Sequence, residues 1–252
     1  MLATINYHDG HGSYPSGYIS NFTATGQDTG PGWGWGALIL PQLEQGAIHR
    51  LINFNLPVED AANSIRLTPV SAFLCPADDI QPMWAAESRD AAGNPTGYIC
   101  DVAPANYVAM YGTSDPGPDG DGMFFRNSRL SVRDIRDGVS QTIALGERSH
   151  RLGEATWTGS VTGSILFPDA DEGEISRQRV EHSSGMVLGH SGDGHGPGDP
   201  RSEVNQFFSQ HGPGANFAFG DGHVSFLVLS MDYKVYRGLT TRAGNEAIKS
   251  EY

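Results

Sequence analysis

The sequence has few cysteines, few basic residues and no long apolar run, and each shortage argues against a class of protein. Its 16 lysines and arginines, against 29 acidic residues, give a net charge of -13. This balance argues against nucleic acid as a partner, because phosphate binding needs basic patches. No apolar run approaches the ~20 residues of a membrane helix, and no signal peptide is visible. A well-solvated surface explains the acidic charge better than cation binding does.

Cysteine occurs only twice, as Cys75 and Cys100. The sequence has no CxxC and no Cys/His spacing of the kind that predicts a structural zinc site. In an exported protein the two residues could form one disulfide that closes a modest loop. In a cytosolic protein they would be two buried free thiols. The pairing of Cys75 with Cys100 is therefore a hypothesis that depends on the compartment.

Turn-forming residues are abundant instead. The 252 residues include 33 Gly and 15 Pro, which predict many turns and loops and few long helices. The hydrophobic share of 38% is enough for a core, and the length suits one large domain or two small ones. No internal repeat of solenoid length is visible, and residues 190–215 form a loop rich in Gly and His.

The clearest local pattern is a predicted hairpin near the C-terminus. Apolar side chains alternate along 216–219 and again along 223–227, and Gly220-Asp221-Gly222 lies between the two runs. Alternation of period two around an Asp-Gly turn is the strongest short-range signal for a β-hairpin. Asp221 and Gly222 are therefore predicted to be scaffold residues at the turn.

Other patterns predict a mixture of helices and strands. Ser131 and Asp134 resemble a capping box for a short helix at 130–136, and Asp232 or Ser230 caps a helix at 231–247. Glu147 ends a predicted buried strand, where a carboxylate is usually solvated. Further helices are predicted at 2–7, 33–52 and 60–67, strands at 70–75, 106–111, 123–125, 141–147 and 157–167, and loops at 20–32 and 81–97.

A second distinctive stretch runs from residue 112 to 122 and reads GTSDPGPDGDG. Asp115, Asp119 and Asp121 lie there among glycines. Carboxylates spaced along a flexible turn offer the hard oxygen ligands that calcium uses, so these three residues form a candidate calcium site. The pattern is not an EF-hand, since the twelve-residue spacing and the terminal Glu are missing. The competing interpretation is an acidic hairpin loop without an ion.

Recognisable catalytic motifs are absent from the sequence. It has no HExxH, no P-loop and no GxGxxG between a strand and a helix. His8, Asp9 and His11 have the side chains of metal ligands, but a helix C-terminus explains them better. The sequence therefore predicts no enzyme. Five histidines lie in the last third of the chain and could join an acid/base or metal site: His182, His190, His195, His211 and His223.

His211, nine further residues and then Asp221-Gly222 resemble the H-X9-DG signature of the DUF1559 family, whose pilin-like bacterial members are abundant in planctomycetes. Single pieces of this resemblance are weak, but their order along the chain is specific. The other pieces are NYHDGHGSYP at 6–15, LPQLEQ at 40–45, FLCP at 73–76, NYV at 106–108, GDGMF at 120–124, DIRDG at 134–138, GER at 146–148 and TRAG at 241–244.

The resemblance implies a type IV pilin-like or pseudopilin-like subunit with one globular α+β head, spanning 1–252. An antiparallel sheet flanked by helices and long Gly-rich loops is expected. Residues 1–12 would be the remnant of a longer N-terminal apolar helix that is missing or truncated here. The family's apolar helix packs in a filament core or sits in the membrane, so membrane contact would come only through that helix. The implied protein is a structural subunit of the envelope or the extracellular space and a homo-oligomer or filament, with calcium as the only expected cofactor.

A competing interpretation is a soluble secreted binding module, for example one that captures carbohydrate with tryptophan side chains. The candidate residues are Trp33, Trp35, Trp84 and Trp157. An exposed Trp beside polar groups would favour this binding module. Buried tryptophans together with an exposed apolar patch would favour assembly.

Overall fold

The computed structural model describes residues 1–79, 83–90, 92–167, 181–192 and 194–246. Four α-helices are present there: α1 (Leu2–His11), α2 (Trp35–Leu38), α3 (Gly46–His49) and α4 (Tyr233–Gly238). The strands are β1 (Tyr18–Phe22), β2 (Asp28–Gly34), β3 (Trp84–Arg89), β4 (Pro95–Val102), β5 (Tyr107–Gly112), β6 (Ile143–Glu147), β7 (Ile165–Leu166), β8 (Glu181–His182), β9 (Leu188–His190), β10 (Gly214–Phe219) and β11 (Val224–Val228). Short 3-10 helices span Leu40–Leu43, Ala61–Leu67, Ser71–Phe73, Val132–Asp134 and Ser183–Met186.

A five-stranded sheet contains most of the NYV piece in β5, the start of the GER piece in β6 and most of the segment between His211 and Asp221 in β10. Its strand order is β11-β10-β6-β5-β9, and every neighbouring pair is antiparallel except β5 with β9. Three two-stranded sheets, β1-β2, β3-β4 and β7-β8, lie outside it. The combination of short helices and mostly antiparallel strands confirms the predicted α+β class.

Apolar clusters cover both faces of the central strands of this sheet. On one face Tyr111 and Leu188 join a large core that contains the edge-to-face pair of Trp35 and Phe73, with ring centroids 5.6 Å apart. On the other face a smaller core surrounds Phe217, which the side chain of Tyr236 from α4 contacts at 5.8 Å between ring centroids. Burial on both faces is typical of a sheet whose central strands read as continuous apolar runs.

The predicted hairpin is confirmed as β10 and β11. The strands pair antiparallel from Gly214 with Val228 to Ala218 with Val224. Gly222 takes a φ of +96° at the turn, a left-handed conformation that favours glycine. A Cβ at this position would also lie 3.2 Å from Leu2 of α1, so the turn packs closely under the first helix.

Several other sequence predictions are confirmed in position and type. The predicted strands at 106–111 and 141–147 correspond to β5 and β6, and the helix at 2–7 corresponds to α1. The capping box is present, since Asp134 accepts from the backbone N–H of Ser131. Asp232 caps α4, accepting from the backbone N–H of Lys234.

The single helix predicted at 33–52 is wrong. The segment is instead the end of β2, helix α2, a 3-10 helix and helix α3. Gly36 packs against the backbone of Trp157, where a Cβ would lie 2.5 Å from the carbonyl oxygen. Glu44 takes a φ of 61°, which ends the 3-10 helix that contains Pro41. Tertiary packing and local breaks therefore override the apolar pattern.

Loop and strand predictions also fail in several segments. The loops predicted at 20–32 and 81–97 carry the β1-β2 and β3-β4 pairs; residues 81, 82 and 91 lie outside the described residues. The strand predicted at 70–75 is a 3-10 helix over Ser71–Phe73. No strand covers 123–125, and the only strand within 157–167 is 165–166, although Gly159 forms an isolated antiparallel bridge with Trp33. The last helix is limited to Tyr233–Gly238, and residue 247 of the predicted range lies outside the described part.

Candidate functional site around His211

His211 lies in the loop that leads into β10. Its backbone N–H donates to Ser209 Oγ at 3.1 Å, and its side chain is 39% exposed. The ring atom Nε2 lies 3.2 Å from Cys75 Sγ and 3.5 Å from Glu147 Oε1. One thiol, one carboxylate and one imidazole therefore meet at a partly exposed position, which we call the Cys75 cluster.

Cys75 reaches this position because a side-chain amide holds its backbone. The Cys75 N–H donates to Asn106 Oδ1 at 2.7 Å, and Asn106 Nδ2 donates to Asp78 Oδ2 at 2.6 Å and to the Arg148 carbonyl at 3.2 Å. Asn106 is 1% exposed. The amide thus fixes the turn after the 3-10 helix against the end of β6. Burial raises the pKa of the Cys75 thiol, opposed by a hydrogen bond from the Ala77 backbone.

Glu147 is buried at the end of β6, so the expectation of a solvated strand-end carboxylate is wrong. Its side chain is only 3% exposed. Glu147 Oε2 accepts from Asn216 Nδ2 at 2.7 Å and from the Asn216 N–H at 3.4 Å. These bonds to β10 leave Oε1 as the oxygen that faces His211.

Tyr107 stands directly beside the cluster, since it pairs in register with Glu147. Burial raises the pKa of the Tyr107 phenol to about 12, and negative charge on Cys75 and Glu147 acts in the same direction. The phenol is therefore protonated at neutral pH and can donate a hydrogen bond within the cluster.

The second cysteine lies elsewhere, so the hypothesis of a Cys75–Cys100 disulfide is corrected. Both residues are buried free thiols. Cys100 belongs to β4 and lies near Arg66 rather than near His211. Burial raises the pKa of the Cys100 thiol to about 11. The two thiols therefore differ in their surroundings, and only Cys75 has an imidazole as a neighbour.

Arg148 follows Glu147 and points away from the cluster. It is 0% exposed, and its guanidinium donates to the carbonyls of Gln206 at 2.8 Å, Gly185 at 2.6 Å and Leu188 at 2.9 Å. These bonds join the end of β6 to β9 and to the loop before β10. Arg148 therefore supports the segments that carry the cluster.

The three aspartates of the candidate calcium site do not converge. Asp121 accepts from the N–H and the Oγ1 of Thr113 at 2.8 and 2.6 Å, which closes the turn. The Asp119 carbonyl accepts from the Tyr111 hydroxyl at 2.8 Å. Asp115 lies 3.2 Å from Nε2 of His190 instead. An ion held by all three carboxylates would require this turn to rearrange.

Among the other histidines singled out from the sequence, four have a carboxylate partner, and these partners differ. His190 lies near Asp115 and Glu203, and burial lowers its pKa. The other histidine–carboxylate pairs are His195 with Asp199 at 3.3 Å, His223 with Asp221 at 2.6 Å and His8 with Asp9 at 3.4 Å. His11 Nδ1 lies 2.8 Å from the Tyr7 carbonyl oxygen, and His182 is exposed in β8. Within the described ranges, only the Cys75 cluster and the His190 group bring three metal-ligating side chains together.

The tryptophans are part of the core. Trp33, Trp35 and Trp157 are at most 2% exposed, and each indole N–H donates to a backbone carbonyl at 3.0 Å. Trp84 is partly buried and donates to the Ala155 carbonyl at 3.1 Å. These rings do not form the exposed aromatic platform that a carbohydrate-binding module uses.

An apolar surface borders the sheet edge near α1. Val224, Phe226 and Val228 alternate along β11 and are 65%, 41% and 45% exposed. Side chains two residues apart share one face of a strand, so these three form one stripe, which we call the edge patch. An apolar cavity of about 520 Å³ adjoins the patch; its lining includes Met1, Leu2, Trp35, Leu145 and Val224.

Sequence reasoning identified His211 and the turn at Asp221-Gly222 but missed the cluster. Cys75 and His211 are 136 residues apart, so no local spacing signals their contact. The only sign was the order of the family-like pieces, because FLCP, NYV and GER supply Cys75, Asn106 and Glu147.

Among the residues that the structure describes, no helix has the length and apolar character needed to span a membrane. Comparisons with curated proteins and with solved structures found no match. One family model matches residues 1–234, and its description is "Protein of unknown function (DUF1559)". The match covers most of the chain, including Cys75, Glu147, His211 and the hairpin. The chain therefore belongs to the DUF1559 family.

Proposed function

We propose that this protein is a non-enzymatic structural subunit of a pilin-like filament or pseudopilus, in the cell envelope or outside the cell. The observation that carries the proposal is the edge patch. An edge strand exposes unpaired backbone groups, and natural sheets usually protect such an edge with charges, proline or a covering segment. Here the edge strand carries Val224, Phe226 and Val228 instead.

Apolar residues beside the edge patch enlarge the exposed apolar surface. Leu2 of α1 is 70% exposed, and the cavity reaches from Val224 to Leu145. A contiguous apolar surface of this kind is typical of a protein interaction site. The occupant we propose is a neighbouring copy of the same chain, because homo-oligomers are the commonest assemblies of soluble domains.

The burial of Trp33, Trp35 and Trp157 supports assembly over the binding module. A carbohydrate platform would need at least one broad exposed indole face, and these three rings pack inside the core. In this proposal membrane contact comes only through an N-terminal apolar helix of the kind that the pilin-like resemblance implies, and no nucleic acid takes part. The acidic net charge of -13 agrees with the second point.

Sedimentation velocity over a range of protein concentrations tests the proposal. The protein should self-associate, and the double variant V224S/F226S should sediment as a monomer. Full burial of a Phe side chain stabilises a contact by ~1.5–3 kcal/mol, and about 1.4 kcal/mol corresponds to tenfold, so the variant should weaken association by at least about tenfold.

The matched control is L51S, because Leu51 is 66% exposed outside the edge patch. This variant should associate as the unchanged protein does. A concentration-independent monomer for the unchanged protein would overturn the proposal, and so would equal association of V224S/F226S and the unchanged protein.

A further inference from the structure

We propose that Cys75, Glu147 and His211 form a zinc-binding site. The proposal is independent of self-association, since none of the three residues belongs to the edge patch: Cys75 follows the 3-10 helix Ser71–Phe73, Glu147 ends β6 and His211 precedes β10. Nothing in their sequence spacing indicates a metal, and only the fold brings them together. One ligand atom from each residue, namely the Cys75 Sγ, a Glu147 carboxylate oxygen and a His211 ring nitrogen, lies within 4.8 Å of the other two.

The distances between these atoms suit a tetrahedral ion. Zinc bonds to sulfur at about 2.3 Å and to nitrogen and oxygen at about 2.0–2.2 Å, which puts neighbouring ligand atoms about 3.3–3.6 Å apart. The observed separations are 3.2 Å from Cys75 Sγ to His211 Nε2 and 3.5 Å from Nε2 to Glu147 Oε1. An ion would therefore enter with small side-chain movements.

The chemistry of the donor set favours zinc over the hard cations. Calcium and magnesium select oxygen ligands, whereas a thiolate with an imidazole selects zinc among the common divalent ions. The charges also balance, because Zn²⁺ between a Cys thiolate, a Glu carboxylate and a neutral imidazole leaves no net charge. On binding, the Zn–S bond forms and the thiol proton leaves to solvent.

Outer partners already orient two of the three ligands. Asn106 holds the Cys75 backbone at 2.7 Å, and Asn216 holds Glu147 Oε2 at 2.7 Å, so Oε1 remains directed to the site. Hydrogen-bonded outer partners of this kind are a regular feature of metal sites in proteins. His211 is 39% exposed, so solvent reaches the cluster on its side and a water molecule can complete the coordination.

The same contacts without an ion would be a hydrogen-bonded link between the loop and the core, and metal titration separates the two cases. Purified protein stripped with EDTA should bind one equivalent of Zn²⁺ in competition with a chromogenic chelator. Co²⁺ should give the sulfur-to-cobalt charge-transfer absorption of a thiolate ligand, and because the chain has two free thiols, loss of the band in C75S but not in C100S identifies Cys75.

Three variants with matched controls assign the ligands. C75S, E147Q and H211N should each weaken Zn²⁺ binding by more than the ~10–100-fold that loss of an outer partner costs. C100S and H223N should bind as the unchanged protein does, since Cys100 lies apart and the His223 side chain is also 39% exposed. If buried C75S or E147Q fails to fold, H211N still decides, because His211 is partly exposed.

Three results would each overturn the proposal. The first is the absence of stoichiometric Zn²⁺ binding to folded, EDTA-stripped protein. The second is Zn²⁺ binding that the H211N substitution leaves unchanged. The third is a loss of Zn²⁺ affinity in C100S or H223N as large as the loss in H211N. Sedimentation of the zinc-free protein keeps this test apart from the assembly proposal, because each can fail while the other holds.

Discussion

Replacing Arg148 with methionine should destabilise the protein strongly, although the change removes a charge from the core. The Arg148 side chain has 0% exposure and donates to three carbonyls, those of Gln206, Gly185 and Leu188, at 2.6 to 2.9 Å. A hydrogen bond from a charged donor contributes ~1.5–3 kcal/mol, so the three bonds amount to about 4.5–9 kcal/mol before compensation.

Part of this contribution is offset, because burying a charged guanidinium costs several kcal/mol of desolvation free energy. The R148M variant does not incur that desolvation cost. The variant leaves three carbonyls without this donor, and each orphaned buried group costs ~1–3 kcal/mol. We therefore expect R148M to lower the free energy of unfolding by at least about 3 kcal/mol. Most point mutations cost ~0.5–3 kcal/mol, so this effect would lie at the upper end.

Urea unfolding followed by the fluorescence of the buried tryptophans measures the effect. R148K should lose nearly as much stability as R148M, because an ammonium is a compact point charge and cannot reproduce the planar fork of donors. R136M is the control, since Arg136 is exposed, and it should change stability by less than about 0.5 kcal/mol. If R148M lowers the free energy of unfolding by less than about 1 kcal/mol, the three hydrogen bonds of Arg148 do not stabilise the fold as described.

Three further predictions follow from single contacts. Hydrogen bonding to Arg201 holds the pKa of Asp199 below its usual value, so this carboxylate stabilises the fold above pH ~3.9 and loses that effect as the pH falls through the lowered pKa. The melting temperatures of D199N and the unchanged protein should therefore differ at pH 7 and converge in acid. A difference in melting temperature that stays constant with pH would contradict this. Burial raises the pKa of Cys100 to about 11, so this thiol should be alkylated slowly in the native protein at pH 8. After unfolding without reductant, mass spectrometry should show two alkylated thiols, and no labelling would show a disulfide. G222A should cost about 1–2 kcal/mol in urea unfolding, because Gly222 has a φ of +96° and lies against Leu2; an unchanged midpoint would contradict the assigned turn.

Local patterns predicted the parts of the fold that depend on neighbouring residues. The β10-β11 hairpin follows from alternation around an Asp-Gly turn, and the capping box from Ser131 and Asp134 three residues apart. The helix expected at 33–52 failed because packing decides that segment: Gly36 lies against the Trp157 backbone, and Glu44 turns the chain. In that segment tertiary packing overrides the helix that the spacing of apolar residues predicts.

The candidate site was less accessible to sequence reasoning than the fold. His211 was noticed through its spacing to Asp221-Gly222, yet its contact with Cys75 spans 136 residues. The burial of Glu147 depends on its pairing with Tyr107 and on the amide of Asn216, and neither partner is near it in sequence. Contacts between residues so far apart in sequence arise from the order in which the strands pair, and the spacing of residues along the chain does not predict them.

Electron microscopy of natively produced, untagged material shows whether this chain builds a filament. We expect regular filaments or tubes, with the edge patch of Val224, Phe226 and Val228 at the contact between neighbouring copies. The same preparation of the V224S/F226S variant should contain dispersed particles, while L51S should still assemble. Dispersed single particles from the unchanged protein, over the whole range of concentrations, would contradict the assignment as a structural subunit.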